Sequence, residues 1–163
     1  DARVKPSMAV HRVTRHLPYT PEQLADLVAD VQAYPRFVPW VTAMRTWNAR
    51  EEAEGVSVID AEAQVGFSFL RERFSTWVRH DRSGPVVEVG LLNGPFRHLR
   101  NRWQFYPDPA GTRLEFMIDF AFKSRMLDAM LHANFQRAVG KLIGCFEGEA
   151  RRRYGSAPQS RIA

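Results

Sequence analysis

The sequence predicts an α+β domain in which a curved antiparallel sheet wraps around one long C-terminal helix. Between residues 59 and 122, apolar and polar residues alternate along several consecutive segments, as they do in half-buried strands. The gaps between these segments contain glycine and proline and are too short for a crossover helix, so the strands must be antiparallel. From residue 127 onward the apolar residues recur every three or four positions, which indicates a helix.

Composition indicates one ordinary domain. The chain has 163 residues, enough to bury a full core, and we expect residues 9–153 to form the domain, 1–8 an N-terminal extension and 154–163 a flexible tail. The single cysteine excludes an intramolecular disulfide. No apolar run is long enough to span a bilayer and the first residues lack the apolar stretch of a signal peptide, so we expect a soluble intracellular protein. The net charge of +5 suits anionic partners such as lipid headgroups or RNA.

The first third of the chain predicts a strand, a helix and a stiff connector. Residues 9–16 have a strand pattern, and the segment from Thr20 to Gln23 carries an N-cap, a first-turn proline and polar first-turn residues. Pro35 should stop this helix near Tyr34 and present the aromatic residues of segment 34–40 from a short connector. Such a connector is either a lid over an apolar cavity or a plug that closes an ordinary core.

The middle of the chain predicts the sheet. Residues 41–48 look extended and residues 49–55 form a charged turn. Alternation is clearest from Ile59 to Phe69, where the inward face begins with small residues and ends in phenylalanines. Four further strands are predicted, at residues 71–80, 86–92, 98–106 and 112–122.

The last predicted element is a helix that starts at the N-cap Ser124 and ends in the basic run 151–153. It would contain roughly 30 residues and measure about 45 Å. Because no other segment is large enough to cover the concave face of the sheet, this helix should lie across it.

Catalytic patterns are absent from the sequence. It has no glycine-rich phosphate loop, no nucleophile elbow and no pair of histidines at metal-ligand spacing. Asn101 is the one polar residue at an inward position between apolar neighbours; it bonds either a ligand or a group of the protein itself. The inward aromatics exceed what a two-layer core needs, which favours an open apolar cavity and a hydrophobic ligand.

The segment Asp30-Val31-Gln32-Ala33-Tyr34-Pro35-Arg36-Phe37-Val38-Pro39-Trp40 resembles the signature of the coenzyme Q-binding family. Residues 94–99, 103–105 and 120–127 are further points of similarity, and the order of elements is similar to the helix-grip, START-like fold of the polyketide cyclase/dehydrase and lipid-transport superfamily. Members commonly have a cysteine where this chain has Val41, so no role for that thiol carries over.

The resemblance implies a non-enzymatic protein that binds or chaperones ubiquinone, or a similar hydrophobic lipid, in an apolar tunnel and supports respiratory electron transfer. It implies ubiquinone as a bound ligand, no catalytic cofactor, and action from the cytoplasmic side at the inner membrane. By the same similarity, the tunnel mouth would be formed by Phe37, Val38, Pro39 and Trp40. The connector and nearby arginines would make transient contact with an anionic membrane surface.

Strand parity and helix spacing add candidate lining residues, namely Phe67, Phe74, Phe96, Leu99, Asn101, Trp103, Phe116, Phe120, Leu127, Met130 and Leu131. The candidates for contact with a membrane or another polyanion are Arg36, Arg97, Arg100 and Arg102.

Two other functions remain open. Bacterial members of the same family are ribosome-association toxins that bind the large ribosomal subunit, and the outward His98, Arg100 and Arg102 are suited to RNA phosphates. A polyketide cyclase or aromatase would need convergent polar or titratable groups inside the cavity, where the inward positions offer essentially Asn101.

Overall fold

The predicted α+β architecture is confirmed by a computed structural model, which describes residues 10–67 and 70–155. The predicted extension 1–8 and residues 156–163 of the predicted tail lie outside the described residues. All strands are paired antiparallel in one sheet with the order β1-β7-β6-β5-β4-β3-β2. The strands are β1 Val10–Leu17, β2 Val41–Ala53, β3 Val56–Phe67, β4 Leu70–Asp81, β5 Val86–Asn93, β6 Phe96–Asp108 and β7 Gly111–Phe122. The helices are α1 Pro21–Ala29, α2 Tyr34–Phe37, α3 Arg125–Ala133 and α4 Phe135–Tyr154.

The start of α1 follows the prediction. Thr20 Oγ1 accepts a hydrogen bond from the backbone N–H of Gln23 at 3.0 Å, and the Gln23 side chain accepts one from the backbone N–H of Thr20 at 3.0 Å. This reciprocal capping box satisfies two donors that the first turn of a helix leaves unpaired.

The predicted end of this helix, near Tyr34, is wrong. Helix α1 ends at Ala29, a 3-10 turn covers Val31–Ala33, and Pro35 lies in the first turn of α2. Proline is tolerated there because the first-turn N–H has no partner within the helix. The first four residues of the connector are therefore helical, and its proline lies at the start of a helix instead of stopping one.

The predicted turn at residues 49–55 is shorter than expected, because β2 continues to Ala53 and only Glu54 and Gly55 form the turn into β3. Asp60 on the neighbouring strand is buried, and it accepts hydrogen bonds from Asn48 Nδ2 at 3.0 Å and Arg50 Nη1 at 3.1 Å. These charge-assisted bonds hold a polar segment in the sheet that intrinsic propensity alone disfavours.

One uninterrupted C-terminal helix was predicted, but the structure divides it at Asn134 into α3 and α4. The Asn134 side chain donates from Nδ2 to the Met130 carbonyl at 2.8 Å, and its backbone N–H is shared between Met130 and Leu131 at 3.2 and 3.3 Å. An asparagine that competes for a carbonyl of the preceding turn disturbs the helical ladder. The 20-residue α4 remains the long helix of the predicted fold.

Helix α4 is attached at both ends of its buried face. Its N-terminal half buries Phe135, Val139 and Ile143, and its C-terminal half buries Phe146 and Ala150. At its last residue, the Tyr154 hydroxyl donates to the Gln23 carbonyl of α1 at 3.0 Å. The helix is thus fixed above the concave face of the sheet, which leaves space between the two layers.

Candidate ligand cavity

A cavity of about 360 Å³ lies between the concave face of the sheet and the helices. Its floor comes from β2 to β7 and its roof from the connector, α3 and α4. The floor residues are Val41, Met44, Ala61, Ala63, Val65, Phe74, Thr76, Val78, Val89, Phe96, Leu99, Asn101, Trp103, Ile118, Phe120 and Phe122. The roof residues are Val31, Tyr34, Val38, Trp40, Leu131, Phe135, Ala138, Leu142 and Phe146.

The wall is shaped by the alternation of β3. Ala61 and Ala63 are buried and small, and they face bulky aromatics on neighbouring strands and on α4. A methyl side chain cannot reach across the gap between sheet and helix, so a void is left beneath these alanines. The space follows from side-chain size at positions whose parity is visible in the sequence.

Three polar side chains of the wall have hydrogen-bond partners within the protein. Trp103 Nε1 donates to Asn101 Oδ1 at 2.6 Å, and Asn101 Nδ2 donates to the Met117 carbonyl at 2.9 Å. The hydroxyl of Tyr34 donates to the Val28 carbonyl, and burial raises the pKa of Tyr34 above its usual range. Of the two alternatives for Asn101, the structure shows the internal bonds. The amide has one further N–H that these bonds leave unused.

Most of the predicted lining residues lie in this wall, and their contact with a ligand stays a prediction. They are Val38, Trp40, Phe74, Phe96, Leu99, Asn101, Trp103, Phe120 and Leu131.

Four of the predicted residues with described side chains lie elsewhere in the core or on α3. Phe37 packs edge-on against Tyr34 and Phe146, with ring centroids 5.7 and 5.2 Å apart. Phe116 is buried beneath Trp103, with ring centroids 4.9 Å apart. The other two, on the half-buried side of α3, are Leu127 and Met130.

The remaining two candidates are Pro39 and Phe67. Pro39 is exposed to solvent and does not line the cavity. Phe67 is the last residue of β3, and its side chain lies outside the part of the chain that the structure describes.

The choice of lining residues from sequence omitted others that the same periodicities indicate. Ile118 and Phe122 share the strand parity of Phe120, and Phe135, Leu142 and Phe146 belong to the helical stripe; all five line the cavity. Met44 had no comparable signal, because the pairing of β2 with β3 has three register shifts that break the alternation.

The cavity reaches solvent beside the helices. Ala138 on α4 is exposed and yet lines the cavity, and Leu131 on α3 is a half-buried part of the same wall. Leu131 is the residue of α3 that lines the cavity. No residue of α3, from Arg125 to Ala133, is buried. Helix α3 therefore borders the opening and is held less firmly than α4.

Two histidines attach α3 to the edge of the sheet. His132 Nδ1 lies 2.8 Å from His11 Nε2, while His132 Nε2 lies 3.1 Å from Asp128 Oδ1. The rings stack on the outer sides of wall aromatics, His132 on Phe120 at 4.1 Å and His11 on Phe135 at 3.8 Å between centroids. Burial, and secondly the neighbouring His132, lower the pKa of His11. These groups flank the wall and do not line it.

The four arginines predicted to contact a polyanion are all exposed. Arg36 lies on α2, and Arg97 donates from Nε to the Phe122 carbonyl at 3.3 Å. Arg100 and Arg102 lie on the convex face, where Arg102 Nε is 4.0 Å from a Glu88 carboxylate oxygen. Arg100 and Arg102 therefore share one face of β6, whereas Arg36 lies on a different element.

Residues 10–67 and 70–155 hold no group of three or more His, Cys, Asp or Glu side chains arranged to bind a metal ion. None of the helices within these residues is long and apolar enough to cross a membrane.

Comparison with known proteins places this architecture in a family. The family model described as polyketide cyclase / dehydrase and lipid transport matches residues 17–147. The ribosome association toxin RatA of Rickettsia prowazekii is 34% identical over 141 residues, 85% of this chain and 93% of that protein. The mitochondrial coenzyme Q-binding protein COQ10 homolog B of Xenopus laevis is 32% identical over 143 residues, 85% of this chain and 57% of that longer protein.

Solved structures share this fold. The solution structure of the 18 kDa protein CC1736 from Caulobacter crescentus is 59% identical, covers 90% of this chain and 99% of that one, and superposes with a TM-score of 0.76. The Zhui aromatase/cyclase from Streptomyces sp. R1128 shares the fold, with 21% identity, 88% and 93% coverage and a TM-score of 0.69. The predicted resemblance is confirmed, and the chain belongs to the polyketide cyclase / dehydrase and lipid transport family.

Proposed function

We propose that this protein binds ubiquinone, or a similar hydrophobic lipid, in the cavity and carries it without chemical change. The observation that carries the proposal is an apolar void of about 360 Å³ roofed by α4. Ligand pockets measure about 300–1,000 Å³, so the void is large enough for a quinone ring and the first part of its tail. A long polyprenyl tail would continue through the opening beside α3.

The polar content of the wall supports binding of a neutral ligand. A quinone ring presents two carbonyl oxygens and needs hydrogen-bond donors. The unused N–H of Asn101 and the hydroxyl of Thr76 are the candidates, since both side chains line the void. A few polar groups in an otherwise apolar wall orient a ligand at little desolvation cost.

A cyclase or aromatase reaction has less support. General acid–base catalysis needs a titratable group within hydrogen-bond reach of the substrate. Among the described wall residues, Tyr34 alone is titratable, and its hydroxyl is already bonded to the Val28 carbonyl. Its raised pKa also makes it a poor base at neutral pH.

Intrinsic fluorescence can test the proposal. The chain has four tryptophans, of which Trp40 and Trp103 line the cavity while Trp47 and Trp77 do not. In a Trp47→Phe/Trp77→Phe variant, a short-chain ubiquinone should quench the two remaining indoles saturably. Quenching that rises linearly with quinone concentration and never saturates would contradict binding in the cavity.

A second candidate function is association with the ribosome. Proteins with this role in their names are 34% and 33% identical to this chain, and Arg100 and Arg102 are exposed on its convex face. Sedimentation through a sucrose gradient with purified ribosomes can test it. This function would be favoured if Arg100→Glu/Arg102→Glu no longer co-sediments with ribosomes while the charge-matched Lys141→Glu/Arg151→Glu still does. It would be contradicted if the parent protein is absent from the ribosomal fractions.

A further inference from the structure

Large exposed apolar side chains are confined to one end of the described structure. Among residues 10–67 and 70–155 they are Leu92, 50% exposed, and Met126, 76% exposed. Leu92 precedes the β5–β6 turn and Met126 lies in the first turn of α3. These two segments touch, since the backbone N–H of Lys123 donates to the Pro95 carbonyl at 2.9 Å.

Helix α3 has apolar residues on the side that faces solvent. Its inner side rests on the core through half-buried Leu127 and Leu131, while Met126, Ala129 and Ala133 are exposed. A helix that presents apolar residues which the protein itself does not cover, with basic residues beside them, is suited to lie in a membrane interface.

Positive charge surrounds these apolar residues. Exposed basic side chains at this end are Arg71, Arg73, Arg97, Lys123 and Arg125. The nearby acids are Glu72 and Asp128, and the second of these accepts a hydrogen bond from the Phe122 backbone N–H at 2.9 Å. The balance is positive, and basic residues beside exposed apolar groups favour an anionic surface with an apolar interior.

We propose that this end, defined by Leu92, Arg97, Lys123, Arg125 and Met126, is the surface that docks on an anionic lipid bilayer. Helix α3 would lie among the headgroups with Met126 pointing into the acyl boundary. The cavity opening beside α3 would then face the membrane, so a hydrophobic ligand could pass between them without crossing water. This inference rests on the proposed function, because a carrier of an insoluble lipid must collect it from a bilayer.

The aromatic connector has a different place in this arrangement. Val38 is fully buried and Phe37 is committed to contacts with Tyr34 and Phe146. Trp40 lines the cavity, and its carbonyl accepts a hydrogen bond from the Gly66 N–H at 2.9 Å. The connector therefore forms part of the cavity wall, and we assign the membrane contact to the β5–β6 turn and α3.

Vesicle flotation tests the proposal. Phosphatidylcholine vesicles with and without phosphatidylglycerol are floated with the parent, Leu92→Asp/Met126→Asp and Lys123→Glu/Arg125→Glu at low and high salt. Lys141→Glu/Arg151→Glu serves as the control, since both of its residues are exposed on α4 and it changes the net charge by the same amount. Each basic residue near an anionic surface contributes about fivefold to binding, so reversing two should weaken binding at least tenfold.

The expected pattern has three parts. The parent and the control bind anionic vesicles within twofold of each other. The Lys123→Glu/Arg125→Glu variant loses binding at low salt, and at high salt it no longer differs from the parent. The Leu92→Asp/Met126→Asp variant loses binding at both salt concentrations. Equal binding by the charge variant and the control, retention of binding by the apolar variant, or binding of the parent to RNA but not to vesicles would overturn the proposal.

Docking and ligand binding can fail separately. Quinone quenching, measured without vesicles, reports the cavity, and the Leu92→Asp/Met126→Asp variant should retain it because both residues lie outside the wall. Vesicle binding without saturable quenching by the parent would contradict the proposed function and leave the docking surface intact. Saturable quenching without vesicle binding would contradict the docking surface alone.

Discussion

Filling the cavity with a larger side chain should stabilise the protein and prevent ligand binding. Ala63 is buried, lines the void, and lies opposite Phe74 on β4. Ala63→Leu adds three carbon atoms. If they enter empty apolar space, each contributes about 0.8 kcal/mol, so the free energy of unfolding should rise by up to about 2 kcal/mol. For a domain of this size that corresponds to an increase in Tm of roughly 4–8 °C.

The same substitution at a packed position gives the opposite sign and serves as the control. Ala25 is 1% exposed on the inner face of α1 and does not line the cavity. Extra methylene groups in a packed core force side chains off their rotamers, which costs about 1–3 kcal/mol. Ala25→Leu should therefore lower Tm.

Thermal unfolding followed by circular dichroism measures both variants, and quinone quenching measures the cavity. We expect Ala63→Leu to unfold at a higher temperature than the parent and to bind quinone at least tenfold more weakly. A loss of stability similar to that of Ala25→Leu would refute the reasoning, since it would mean that the space beside Ala63 is already filled.

Two further predictions concern the wall and the end of α4. Trp103→Ala should lower the free energy of unfolding by about 3–5 kcal/mol, because the indole is 4% exposed, packs on two phenylalanines and donates a hydrogen bond to Asn101. Chemical denaturation measures this loss. A loss under about 1 kcal/mol would show that the ring borders empty space on most sides. Hydrogen bonds from Arg152 and Arg153 lower the pKa of Glu149 from 4.5 to about 2. Because the folded pKa lies below the unfolded one, this stabilisation is present above pH 4.5 and is lost as the pH falls toward 2. Between pH 6 and 2.5 the parent should lose about 1–3 kcal/mol more than Glu149→Gln in urea denaturation, and parallel losses in the two proteins would contradict the assignment.

Much of the fold could be predicted because its patterns are local. Strand alternation located β3 to β7 and their inward faces, and the three-to-four-residue repeat located the buried face of α4. The aromatic inner surface and the small residues of β3 together indicated a void. Both observations depend on the size of each side chain and on which face of the strand its position puts it, and both can be read directly from the sequence.

The errors arose where tertiary contacts override local preference. The buried Asp60 draws Asn48 and Arg50 into β2, so a charged segment becomes strand. Asn134 divides the C-terminal helix through a bond to a carbonyl of the preceding turn, which periodicity cannot reveal. Phe37, which the family resemblance places at the tunnel mouth, packs edge-on against Phe146, and its contact with a ligand stays a prediction.

The exposed end of the molecule had no signal in the sequence. Leu92 and Met126 look like ordinary members of an apolar strand and an apolar helix face. Their exposure becomes visible only once β5, β6, β7 and α3 are placed in space. Surfaces for partners are for this reason harder to predict than cores.

The most direct test of the central claim is the identity of what the protein carries. Protein purified from its natural membranes under mild conditions would be extracted with organic solvent, and the extract analysed by mass spectrometry beside an extract of the Ala63→Leu variant. We predict a quinone, or another neutral hydrophobic lipid, at close to one molecule per chain in the parent and strongly reduced in the variant. Equal amounts of lipid in both extracts, or none in the parent, would contradict ligand binding in the cavity.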